Sequence, residues 1–67
     1  MKTMQNWIDE AVSFAYEWKQ ATGKAPTKND VLRECKEIAS GDSDIKQTMI
    51  DECGSVEQYA EELYSYI

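Results

Sequence analysis

Residues 4–22, MQNWIDEAVSFAYEWKQAT, hold both tryptophans, the single phenylalanine and the longest unbroken helical pattern in the chain. On a helix wheel Met4, Trp7, Ile8, Ala11, Val12, Phe14, Ala15 and Trp18 share one arc, while Asn6, Asp9, Glu10, Ser13, Glu17 and Gln20 lie opposite. The apolar arc is wide, the pattern of a helix contacted from two sides. The stretch therefore predicts a central helix against which the rest of the chain packs.

Working outward, Thr3 is placed to cap this helix, and Gly23 supplies the left-handed residue that commonly ends one. Lys24-Ala25-Pro26 reads as a short connector. Thr27 with Asp30 three residues on makes a capping box in which Asp stands where Glu is usual, and Pro26 against Val31 makes a hydrophobic staple. A second helix is predicted over about 28–40, with Val31, Leu32, Cys35, Ile38 and Ala39 inward and Arg33, Glu34, Lys36 and Glu37 in solvent. Gly41 is expected to close it. Asp42 or Ser43 opens a third helix over about 44–53, with Ile45, Met49 and Cys53 on its inward face and Gly54 as its stop. Ser55 with Gln58 is a further capping box, starting a fourth helix over about 56–66 whose inward stripe is Val56, Tyr59, Ala60, Leu63 and Ile67. Helices this short, joined by turns of a few residues, predict a single all-α domain spanning 1–67, a compact bundle of four short helices in which the fourth returns onto the first. At 67 residues the core supplies only about 3–5 kcal/mol.

The charge is lopsided. Residues 1–40 balance Lys2, Lys19, Lys24, Lys28, Arg33 and Lys36 against Asp9, Glu10, Glu17, Asp30, Glu34 and Glu37. The net charge of −6 therefore belongs wholly to residues 41–67, where Asp42, Asp44, Asp51, Glu52, Glu57, Glu61 and Glu62 face Lys46 alone. Such a field repels nucleic acid and anionic lipid and speeds encounter with a basic surface. No stretch reaches the length of a membrane span, and Met1-Lys2-Thr3 leads straight into an amphipathic helix, so the chain is expected in the cytoplasm. In that reducing compartment Cys35 and Cys53 are expected as core thiols, without a disulfide. With no histidine they are also too few for a zinc site, so neither metal nor other cofactor is expected.

Catalysis finds no support in the motifs. There is no histidine to act as base, none of the serines sits in a nucleophile motif, and no Gly-rich phosphate cradle follows a strand. Asp42-Ser43-Asp44 resembles the opening of a calcium loop but lacks the third ligand, the central glycine and the distal glutamate, and capping accounts for these residues. The second and third helices can be drawn as a helix-turn-helix, yet the third offers Asp44, Asp51 and Glu52 with one lysine, which opposes approach to phosphate.

The remaining candidate is the acidic end. Asp51, Glu52, Glu57, Glu61, Glu62 and Tyr64 are the expected partner-binding residues, with carboxylates to pair with Arg and Lys and a tyrosine as rigid contact area. The expectation is a small non-enzymatic acidic module that inhibits or regulates a basic, nucleic-acid-handling protein by charge mimicry, without touching nucleic acid or membrane itself. A competing account makes the same face merely solubilising. It lets the chain act as a self-associating structural or assembly protein, a homodimer formed through the aromatic face of the first helix, with either Trp7 or Trp18 exposed. Packing Glu57 and Glu61 on one helix side further predicts that reversing both to Lys relieves repulsion and leaves the fold intact.

Overall fold

The computed structural model describes residues 3–67; the lead-in Met1-Lys2 lies outside them. Four helices follow in order, α1 (Met4–Thr22), α2 (Lys28–Gly41), α3 (Ser43–Cys53) and α4 (Val56–Ser65), with no strand among the described residues. Each start falls within one residue of the sequence expectation because local chemistry sets it. Thr3 Oγ1 accepts the Asn6 N–H at 3.3 Å. At α2 the reciprocal box closes: Thr27 Oγ1 accepts from the Asp30 N–H at 3.3 Å and Asp30 Oδ2 accepts from the Thr27 N–H at 2.9 Å. The same carboxylate accepts from the Thr27 hydroxyl, and with Arg33 beside it these bonds hold Asp30 below the usual carboxylate range, the backbone hydrogen bond contributing most. Ser55 Oγ accepts the Gln58 N–H at 3.1 Å to open α4.

Two of the three expected glycine stops are left-handed, Gly23 at φ +77° and Gly54 at φ +93°. Gly41 is not: it is the last residue of α2, and the helix ends at Asp42, whose backbone is extended at φ −148°. Asp42 serves two helices at once. Its N–H donates to Ile38 O at 3.1 Å, and its carboxylate accepts from the N–H groups of Asp44 and Ile45 at 2.9 and 3.3 Å. A one-residue link leaves no turn for a left-handed glycine to make. Asp42→Ala is expected to cost about 1 kcal/mol through loss of the cap. Chemical denaturation followed by circular dichroism would show it as a lower midpoint with unchanged slope.

The architecture corrects one expectation. The helix that meets all the others is α4, which packs against α1, α2 and α3, whereas the backbone of α1 comes close to α4 alone. The expected return of the fourth helix onto the first is therefore present, but α1 is a flank and not the centre. Its wide apolar arc is only partly covered: Trp7 and Ala11 are buried, while Val12 stays 57% exposed. The core consists of those two residues with Val31, Cys35 and Ala39 of α2, Met49 of α3, and Tyr59, Ala60 and Leu63 of α4. Cys35, Ala39 and Ala60 are small, which lets helix axes approach closely. Trp7 and Tyr59 form a T-shaped pair, centroids 5.0 Å apart and planes at 78°. Ile38 and Ile67, read as inward, stand at the surface. The radius of gyration, 11.3 Å, matches the ~11 Å of a folded chain of this length.

Candidate functional site

The expected partner-binding residues divide between two flanks of α4. Glu57, Glu61 and Tyr64 follow one another at helical spacing along the side facing α2, whereas Glu62 lies with Gln58 and Ser65 on the other. On the α2 side the acids are already engaged. Lys28 Nζ reaches Glu61 Oε1 at 2.7 Å and Lys36 Nζ reaches Glu57 Oε1 at 3.7 Å. The crossing order, 28 with 61 and 36 with 57, shows that α2 and α4 run antiparallel along this seam. The Lys28 ammonium, through its hydrogen bond and then its charge, holds the Glu61 carboxyl below the usual glutamate pKa. Both pairs are more than half exposed and contribute little stability. They still overturn the expectation that reversing Glu57 and Glu61 relieves repulsion, because each reversal sets lysine against lysine.

The other flank is different. Glu52 at the end of α3 and Glu62 on α4 line a cleft of about 620 Å³ with Met4, Trp7, Cys53, Gln58, Ser65 and Glu61, the last of which Lys28 already holds from the α2 side, and no lysine or arginine is among the described lining residues. The Cys53 thiol reports on that field. Burial pushes its pKa up, and the charges of Glu62 and then Glu52 push it further. Cysteine nucleophiles need the opposite shift. Alkylation of Cys53 at pH 8 is therefore expected to be slower than for an unperturbed thiol. Glu52→Gln/Glu62→Gln should speed it by lowering the pKa, and equal rates in the two proteins would show that the carboxylates do not act on the sulfur. Cys35 is buried and, like Cys53, is a thiol.

Asp51 belongs to neither flank; it is exposed on α3, and its Oδ1 accepts from Gln47 Nε2 at 2.8 Å. Glu10 is a polar contact that the sequence did not single out. Its Oε2 accepts from the Tyr59 hydroxyl at 2.5 Å, joining α1 to α4 beside the core. A glutamate on the polar side of an amphipathic helix carries no sequence signal for a bond across 49 residues. Burial, followed by this bond to a carboxylate, drives the Tyr59 pKa well above the usual phenol value. The indoles also part company: Trp7 is buried, with no acceptor for its Nε1–H among the described residues, whereas Trp18 is half-buried, stacked on Phe14 at 5.9 Å with the Arg33 guanidinium 5.9 Å from its ring.

No group of three or more Cys, Asp and Glu side chains among the described residues converges to hold a metal ion. No helix among them is long and apolar enough to cross a membrane. Compared with family models, curated proteins and solved structures, the chain matches none.

Proposed function

We propose that this chain is a small non-enzymatic binding module that docks an acidic surface onto a basic, nucleic-acid-handling protein and thereby inhibits or regulates it. The observation that carries this reading is the Glu52–Glu62 cleft, whose described lining residues include acids and no lysine or arginine. Within the expected set, Glu52 and Glu62 are the residues on which it chiefly rests, since Glu57 and Glu61 already face lysines. Such a surface favours fast, salt-sensitive association by complementary charge. The raised thiol of Cys53 and the absence of histidine are consistent with a binding role rather than catalysis.

The test is capture on the immobilised chain, followed by salt and competition. A basic protein is expected to be retained, released by salt, displaced by duplex DNA and lost with Glu52→Lys/Glu62→Lys. Retention indifferent to salt and to that variant would overturn the reading. A second reading, self-association through α1, is favoured by the exposure of Met4 (54%) and Tyr16 (65%) beside Val12. Sedimentation at several concentrations separates the two, because a concentration-independent monomer removes the homodimer.

A further inference from the structure

The bundle leaves a groove of about 430 Å³ between α1 and the α2–α3 pair. It exists because α1 approaches only α4 at the backbone, standing off the second and third helices. Its walls and floor are apolar, with Phe14, Met49, Tyr59 and Leu63 inside and Ile38 and Ile67 at the mouth, 40% and 43% exposed. Ile38 lies on α2 and Ile67 two residues beyond the end of α4, and both are uncovered because none of the four helices crosses the groove. The volume lies within the range of about 300–1,000 Å³ typical of ligand sites.

Every charged side chain among the described residues lining this groove is acidic: Asp9, Glu10 and Glu17 from α1, and Glu34 from α2. The basic groups of α2 turn elsewhere, Lys28 and Lys36 to α4 and Arg33 to Asp30 and the Trp18 ring. A surface kept soluble by charge intersperses both signs. Here one sign rims an apolar trough.

We infer that the groove takes a basic amphipathic helix of the partner protein, its apolar face entering the trough and its lysines or arginines meeting Glu17 and Glu34. Helix-in-groove recognition uses apolar anchors at i, i+3, i+4 and i+7, and the acidic rim selects the charge of the flanking positions. A second copy of this chain is a poor occupant, since it brings a net charge of −6 to a negative rim. The proposal rests on the reading of the chain as a binding module, but places the anchoring contact away from the Glu52–Glu62 cleft.

The experiment is a titration of the full ¹⁵N-labelled chain with a synthetic peptide carrying leucines at that helical spacing and lysines elsewhere, and with its counterpart bearing glutamates for lysines. Saturable shifts centred on Phe14, Ile38, Met49 and Ile67 are expected with the lysine peptide and none with the glutamate one. Glu17→Lys/Glu34→Lys should weaken binding roughly tenfold or more while leaving the free spectrum dispersed, both acids being at the rim. Shifts confined to Glu52, Cys53 and Glu62 would overturn the groove while leaving the module reading standing. Equal binding of the two peptides would overturn the role of the rim, and no saturable binding at the groove would overturn the proposal outright. The module reading itself is judged separately by the Glu52→Lys/Glu62→Lys capture.

Discussion

Trp7→Ala is expected to unfold most of the population at room temperature. The indole is 5% exposed and sits where α1 meets α4. Truncating a buried aromatic to alanine costs about 3–5 kcal/mol, which equals the whole stability that a core of this size supplies. Loss of helical signal without denaturant, or a midpoint too low to define a folded baseline, is the expected readout. Trp7→Phe should be much milder, because it keeps most of the ring contact and removes an indole N–H that has no acceptor among the described residues. Trp18→Ala should also cost less, since that ring is only half-buried and its contacts are with Phe14 and Arg33 at the bundle's edge. If Trp18→Ala proved the more damaging of the two, the core would lie at the other end of α1.

Tyr59→Ala should be as severe. Tyr59 is 1% exposed, forms the T-shaped pair with Trp7 and donates to Glu10, so truncation opens a cavity worth about 3–5 kcal/mol and also removes one hydrogen bond from a carboxylate. Tyr59→Phe isolates the hydroxyl and should cost about 1.5 kcal/mol, the low end for a bond to a charged group, because Glu10 is half-buried. The same bond sets a pH dependence. The folded-state pKa of Tyr59 is raised, whereas the unfolded chain releases that proton near about pH 10. Its stabilisation is thus fully present below pH ~10 and lost as pH rises above it. Thermal unfolding followed from pH 8 to 11 should show a falling midpoint in the wild type and a flatter profile in Tyr59→Phe. Parallel profiles would mean that Tyr59 does not carry the alkaline transition.

What the sequence made legible is the chemistry that acts over three or four residues. The Thr27–Asp30 box, the Ser55 cap and the left-handed Gly54 are each decided by side chains within one turn, so helix number and boundaries follow from them. Gly54 is further enclosed: a Cβ there would lie 2.6 Å from Gln58 Oε1, in a backbone conformation that already disfavours L side chains. Gly41 misled because a glycine after a helix looks the same whether or not the following link needs a left-handed residue, and Asp42 made one unnecessary. The centrality of α1 misled for a deeper reason. Amphipathicity measures how much apolar surface a helix offers, not which neighbour covers it, and the ten-residue α4 became the hub through its position between the others.

The acidic end was legible as charge and illegible as geometry. Summing residues 1–40 to neutrality hid that their lysines and acids point in different directions. Lys28 and Lys36 reach across to Glu61 and Glu57, leaving Asp9, Glu10, Glu17 and Glu34 around an apolar groove. The −6 of the last 27 residues, conversely, is partly met by those two lysines from α2, so the part of the expected site that no described lysine or arginine lines contracts to the cleft of Glu52 and Glu62. Helix pairing across the bundle decides both outcomes, and no short window of sequence encodes it.

The most direct test of the central claim is the association rate of the captured basic partner, measured at low and high salt for the wild type and for Glu52→Lys/Glu62→Lys. Docking through an acidic surface predicts an on-rate that falls steeply, roughly tenfold or more, between low and physiological salt, and a comparable fall in the variant at low salt, with dissociation changed far less. An on-rate indifferent to both salt and charge reversal, with binding abolished instead by Val12→Ser/Tyr16→Ser on the exposed strip of α1, would contradict it.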